Sequence, residues 1–322
     1  MLIYVEYIVT VAVVVFLSIK ASDYVDLLDK KTNLSGAFLG GIMLSAVTSL
    51  PELLTSLSSV FLVGKAGMCL GNVLGSDLFN LAALSAVILI FFRGFNKGVF
   101  SPSYRNVGLA VLAIYIIIEL NFIGVCDIGF LSISFTTVFI IVMYALGVKY
   151  LSAASDAISD EEELDIQASK TSSLTVKQIG IRFFFTAVGI IVSSILLTYF
   201  TDGIAVKLGI GTGFAGALFL GIATSLPEVT STVSLFKMKN YNIAIGNIIG
   251  SNLFNFIILA IVDIISLSQN IYADPDMQVK SLTICGLIAT PMFYIMMRTK
   301  KKAVRGICAV VMLGSYFAFL MI

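Results

Sequence analysis

The 322 residues carry 20 Lys and Arg against 19 Asp and Glu, and 58% of them are apolar while only 12% are charged. Soluble domains have roughly a quarter of their residues charged, so this composition excludes one and specifies an all-α integral membrane protein. A net charge of +1 carries no signal for nucleic acid, which is not expected as a partner, and the absence of histidine removes the commonest transition-metal ligand and the usual proton shuttle.

Apolar runs of about 20 residues cross a bilayer as helices, because a helix satisfies its own backbone hydrogen bonds in lipid. Ten spans are predicted, at 2–20, 33–63, 67–92, 105–120, 123–149, 176–200, 210–236, 241–267, 279–297 and 303–321. No Lys or Arg and no small-residue cleavage site precedes the first, which reads as a retained span. It ends at Lys20-Ala-Ser-Asp23, and a solvated link is expected from there to Asn33. Between Leu34 and Val63 the single charge is Glu52, amid dense Ser and Thr. Spans four and five look plain apart from Glu119 and Asp127 near their link.

A first five-span half, 1–151, gives way to a polar linker, 152–175, carrying Asp160-Glu161-Glu162-Glu163 and Asp165. Blocks of like charge are solvated, and the alternating oxygen ligands and central glycine of an EF-hand are missing. The second half, 176–322, repeats the plan. With the N-terminus outside, the odd links carry 17 of the 20 Lys and Arg, leaving Lys65, Lys207 and Lys280 for the even ones. The positive-inside rule then puts both termini outside and the acidic linker in the cytoplasm of a multi-pass cell-membrane protein. Four cysteines, Cys69, Cys126, Cys285 and Cys308, show no Cys-x-x-Cys spacing and imply neither a disulfide nor a metal framework.

Two blocks occur twice. Thr48-Ser-Leu-Pro-Glu52 returns as Thr224-Ser-Leu-Pro-Glu228, 176 residues on. Gly71-Asn-Val-Leu-Gly-Ser-Asp-Leu-Phe-Asn80 returns as Gly246-Asn-Ile-Ile-Gly-Ser-Asn-Leu-Phe-Asn255, 175 residues on. An odd number of spans per half turns the second copy upside down. Ten transmembrane helices as two inverted repeats of five point to a secondary transporter, with its site at the repeat interface near mid-bilayer.

Pro51 and Pro227 lack an amide hydrogen and should break or kink their helices, freeing the carbonyls of Val47 and Ala223. Beside them stand Glu52 and Glu228, and just before them the hydroxyls of Thr48, Ser49, Thr224 and Ser225. Carbonyl, hydroxyl and carboxylate are hard oxygen ligands suited to Na⁺, Ca²⁺ or Mg²⁺. Ser76 and Asn80 share a helix face, as do Ser251 and Asn255, and glycines four residues apart (Gly71 and Gly75, Gly246 and Gly250) allow close helix approach. Asp77, in the place of Asn252, lies off that face, and Asp263 and Glu119 look peripheral. Two glutamates in apolar spans without an embedded Lys or Arg need a cation, or must stay protonated.

At these blocks the chain resembles the sodium/calcium exchanger family, within the wider cation/calcium antiporter superfamily and of prokaryotic type, over essentially its whole length. The resemblance implies exchange of Na⁺ for Ca²⁺ by alternating access at a shared central site, with no cofactor and no obligate protein partner beyond membrane lipid. Carried over by motif position, it implies as cation ligands Thr48, Ser49, Glu52, Ser76 and Asn80, with Thr224, Ser225, Glu228, Ser251 and Asn255. It also implies that the first and sixth spans slide past the core. Two departures stand out: Val47 and Ala223 where the family usually has Gly, and Asn255 where many members have Asp. Two ionised glutamates balance one Ca²⁺ or two Na⁺, so a lower stoichiometry than three Na⁺ per Ca²⁺, or partial use of H⁺, is expected. The alternative is a Ca²⁺/H⁺ antiporter of the same fold. An intramembrane hydrolase is excluded for want of a base near Ser49 or Ser225.

Overall fold

The computed structural model describes residues 1–32, 46–126, 129–130, 133–155, 174–266 and 270–322. The first half holds α1 (Leu2–Thr32), α2 (Leu50–Phe61), α3 (Ala66–Ile90), α4 (Ser103–Phe122) and α5 (Phe135–Ser155). The second holds α6 (Val176–Leu208), α7 (Ile222–Lys237), α8 (Tyr241–Ile265), α9 (Met277–Arg298) and α10 (Lys302–Leu320). Among the described residues nine helical segments are long and apolar enough to cross a membrane. The predicted second span, 33–63, lies partly outside the described residues, as does most of the acidic linker.

Two boundaries differ from the sequence expectation. The helix of the first span continues to Thr32 in place of a loop after Lys20. No Pro or Gly interrupts that stretch, and Lys20 pairs with Asp23 one turn on at 3.6 Å. The fifth span begins at Phe135, not near 123. Gly124 takes a left-handed turn, φ 78°, after α4, a conformation that glycine adopts without steric cost. A small antiparallel hairpin then pairs Gly129 with Ser134 and Phe130 with Ile133.

The two helices that carry the glycine-asparagine blocks form the centre. Helices α3 and α8 are largely buried, whereas α1 and α5 are mostly exposed. Helix α3 packs on α2, α7, α8, α9 and α10, and α8 packs on α2, α4, α5 and α7. Helix α1 packs chiefly along α6, so the pair forms a flank. Capping starts α6 firmly: Thr175 and Gln178 exchange side-chain to backbone hydrogen bonds, satisfying two otherwise orphaned donors.

Between helices in lipid, van der Waals fit replaces the hydrophobic effect as the force that holds them together. The seam between the halves is therefore built from bare backbone. A Cβ at Gly71 would lie 2.1 Å from the Gly213 carbonyl oxygen, and one at Gly75 would lie 2.5 Å from the Ala217 Cα. From the other side, a Cβ at Gly216 would meet the Met68 carbonyl oxygen at 2.3 Å. The corresponding glycine of the second copy, Gly246, faces a side chain instead, with the Tyr104 hydroxyl at 3.1 Å.

Candidate cation-binding site

The two Thr-Ser-Leu-Pro-Glu segments solve the proline problem differently. In the first copy the break falls at Ser49, with φ −90° and ψ 11°, and Pro51 enters the first turn of α2. A proline is at home there, because that N–H would have no helical partner anyway. Glu52 consequently stands in the first turn of α2, at the positive end of the helix dipole. In the second copy Pro227 lies inside α7, which runs on through it. The irregularity sits upstream, as a π-helical turn over Gly216–Gly221. Such turns appear as single insertions in otherwise regular helices, often at functional sites. Ala223 thus lacks its usual donor four residues on.

The two glutamates, each 1% exposed, lie within electrostatic range of one another across the repeat interface. The hydroxyls serve them crosswise: Thr224 and Ser225 approach the Glu52 carboxyl, while Thr48 and Ser251 approach that of Glu228. The Ser76 hydroxyl donates to the Gly221 carbonyl oxygen at the end of the π-turn, 3.2 Å away. Asn80 and Asn255 meet partners from the opposite repeat, Asn252 and Asp77. Ser49 is buried beside the break. All the residues expected as ligands are at most 5% exposed.

Many of these oxygens make no hydrogen bond. Glu52 Oε2, both Glu228 carboxyl oxygens, the hydroxyls of Ser49, Ser225 and Ser251, and the amide oxygens of Asn80 and Asn255 are buried without a hydrogen-bond partner among the described residues. Buried polar groups in native proteins are overwhelmingly paired, so a cluster of unpartnered acceptors calls for an explanation. A dehydrated hard cation supplies one, since it binds carboxylate, hydroxyl and amide oxygens alike. No group of three or more His, Cys, Asp or Glu that could hold a metal ion occurs among the described residues.

Four further residues belong to this architecture. Asn72 donates to the Glu52 carbonyl at 3.2 Å and to Thr55 and Ser56 hydroxyls at 2.9 Å each. Asn247 does the same for the other half, to the Glu228 carbonyl at 3.4 Å and Thr232 at 3.3 Å. Each ties the backbone of a glutamate to its glycine-asparagine helix, and the identical Gly-Asn spacing was the available signal. Asp77 and Asn252 escaped because residues 77 and 252 lie off the Ser-Asn face within their own helix. They meet the asparagines of the other repeat instead. Although position 255 lacks a carboxylate, Asp77 therefore brings one against it. Asp263 is buried too, and its carboxylate accepts from the Thr137 hydroxyl at 2.6 Å and the Ser134 amide at 3.1 Å, tying α8 to the hairpin and α5.

Known proteins share this plan. A profile of the sodium/calcium exchanger protein family matches residues 3–155 and 179–322. An uncharacterized membrane protein of Methanocaldococcus jannaschii is 26% identical over 225 residues, 69% of this chain and 68% of that one. Among solved structures, the H⁺/Ca²⁺ exchanger CAX superposes with a TM-score of 0.69 at 15% identity, covering 99% of this chain and 87% of that one. The sodium-calcium exchanger NCX_Mj superposes with a TM-score of 0.61 at 17% identity, covering 99% and 98%. The shared fold is that of an inverted-repeat membrane antiporter.

Proposed function

Starting from a chain that belongs to the sodium/calcium exchanger protein family, we propose that it exchanges Na⁺ for Ca²⁺ across the cell membrane by alternating access at the Glu52–Glu228 centre. The observation that carries this reading is a pair of buried carboxylates, one per repeat, within electrostatic range of each other and set among buried oxygens that make no hydrogen bond. Such a centre costs several kcal/mol to leave bare and ionised (roughly, from the penalty for an unpaired buried charge). One Ca²⁺ or two Na⁺ would neutralise it, and neither can enter while the other is bound. Occupancy by one ion thus excludes the other, and a filled, neutral site crosses the membrane field more readily than a bare doubly negative one.

The ligand set proposed is Thr48, Ser49, Glu52, Ser76 and Asn80 with Thr224, Ser225, Glu228, Ser251 and Asn255, divided between five-helix halves 1–151 and 176–322 by the linker 152–175. The flanking pair α1 and α6 is the element proposed to slide over this centre, which fits the way these helices pack chiefly on each other. The distribution of Lys and Arg favours both termini outside. Ca²⁺ uptake in exchange for H⁺ is the second reading, and Asn255 is the residue that favours it, because only two carboxylates are then held by the proposed ligand set.

Uptake of ⁴⁵Ca²⁺ into proteoliposomes separates the two. Uptake driven by internal Na⁺ without a pH gradient is expected. Uptake that needs a pH gradient and ignores Na⁺ would replace the first reading by the second. A reversal potential near that for two Na⁺ per Ca²⁺ is expected from the charge of the glutamate pair, and a clean three-to-one ratio would contradict it.

A further inference from the structure

A primary amide is a poor cation ligand unless it is held the right way round. Its oxygen and nitrogen ends are nearly the same size, and rotation about the terminal torsion exchanges them. One end attracts a cation and the other repels it. Asn80 and Asn255 are both 1% exposed, and in both the nitrogen is engaged while the oxygen has no donor. What holds them so lies on a single residue.

The Asn255 amide nitrogen donates to the Asp77 carboxylate oxygen Oδ1 at 2.9 Å. The Asn252 amide nitrogen donates to the backbone carbonyl of the same Asp77 at 3.0 Å. With its nitrogen so engaged, Asn252 turns its oxygen to Asn80, whose nitrogen donates to it at 2.9 Å. A carboxylate and a backbone carbonyl only accept, so the polarity of this chain of amides is fixed from its Asp77 end. The position equivalent to Asp77 in the other repeat is Asn252, a residue that can present either end. The acid at 77 breaks that ambiguity.

We propose that Asp77 is a positioning residue for the cation site: its carboxylate orients Asn255 directly, and its backbone carbonyl orients Asn80 through Asn252, so that both amide oxygens face the transported ion. The inference rests on the reading of Asn80 and Asn255 as cation ligands. It assigns Asp77 no contact with the ion.

The test is a double-mutant cycle read as equilibrium ⁴⁵Ca²⁺ binding to the purified full-length protein. Asp77→Leu should weaken affinity about tenfold, the scale of losing a hydrogen bond to a charged group, because the Asn255 amide is then free to turn its nitrogen to the ion. In an Asn255→Asp background the same Asp77→Leu substitution should leave affinity within about twofold or raise it, since a carboxylate has no wrong end and loses a neighbouring like charge. Asp77→Asn should recover only part of the affinity lost in Asp77→Leu, because an amide at 77 can accept the same bond but can also turn its nitrogen to Asn255. An equal loss from Asp77→Leu in both backgrounds would overturn the proposal, since a carboxylate that touched the ion directly would be missed alike with Asn or Asp at 255. Should Asp77→Leu not fold, Asn252→Ala decides. It leaves Asp77 intact and frees Asn80, so about a tenfold loss is expected, and no loss sinks the idea. Absence of ⁴⁵Ca²⁺ binding and transport in the unsubstituted protein would instead remove the exchange reading itself, and this proposal with it.

Discussion

The two repeats carry the same words in different settings. Around the first glutamate the helix is interrupted at the single residue Ser49; around the second it stays helical, and the disturbance moves back to the π-turn Gly216–Gly221. Asn72 makes short bonds and is fully buried, whereas Asn247 makes longer ones and is only partly buried. Gly71 touches backbone, while Gly246 touches a tyrosine hydroxyl. One repeat cannot be a rigid image of the other if the site is to be open to one side at a time. On the proposed reading, sequence identity marks what both halves supply to the ion, and structural difference marks where the halves take unequal conformational roles.

Substitutions at the glutamates should show the symmetry and have the largest effect. Glu52→Gln and Glu228→Gln each remove one negative charge from a buried centre, and each should reduce ⁴⁵Ca²⁺ transport by about a hundredfold or more, the scale of disrupting a buried charge pairing. The double variant should transport nothing measurable. Retained exchange in either single variant would show that one repeat alone suffices.

The seam glycines should show the asymmetry. In Gly71→Ala the new methyl would press on the Gly213 backbone, which has no rotamer to escape by. A loss of about 2–3 kcal/mol or more is expected, at the upper end for overpacking, visible as a much lower midpoint of thermal unfolding in detergent. In Gly246→Ala the neighbour at 3.1 Å is the end of a side chain, so a change within about 1 kcal/mol is expected. Equal losses would mean that the glycine spacing serves helix approach alike in both halves.

How far all this could be read from the chain depends on the range of the forces involved. The spans, the doubled blocks and the paired glutamates follow from composition and local pattern, and they are visible in the string. The end of α1 was hidden because Asp23, Asp26 and Asp29 read as a solvated link, although nothing there stops a helix. The late start of α5 turned on Gly124, whose left-handed φ is a backbone fact and not a matter of hydropathy. The crosswise approach of Thr224 and Ser225 to Glu52, and of Thr48 and Ser251 to Glu228, was beyond a reading that grouped each hydroxyl with the nearest glutamate in sequence. Asp77 was hidden for the same reason: its partner is 178 residues away. Contacts between repeats are set by how α3 and α8 dock, and no periodicity within either helix encodes that.

The prolines offer a subtler contrast. Pro51 occupies a first-turn position that imposes no lost bond, so Pro51→Ala should change stability by less than about 1 kcal/mol, through the greater freedom of the unfolded chain. Pro227 interrupts the hydrogen-bond ladder of α7, so Pro227→Ala restores an amide for the Ala223 carbonyl and should raise the thermal midpoint while slowing ⁴⁵Ca²⁺ exchange. If Pro227→Ala stabilised the protein and left exchange untouched, the freed carbonyl would have no part in the ion cycle.

The asparagines that hold the glutamate backbones extend the contrast. Asn72→Ala deletes an amide that joins α3 to the Glu52 carbonyl and to two hydroxyls, all buried. Its loss leaves those acceptors bare and should cost about 1–3 kcal/mol. Asn247→Ala removes two longer bonds in a partly solvated setting and should cost about 1 kcal/mol or less. Thermal unfolding of the two single variants and the double measures the difference. A larger loss at Asn247 would mean that the π-turned half, despite its looser bonds, is the one whose glutamate depends more on its neighbouring helix.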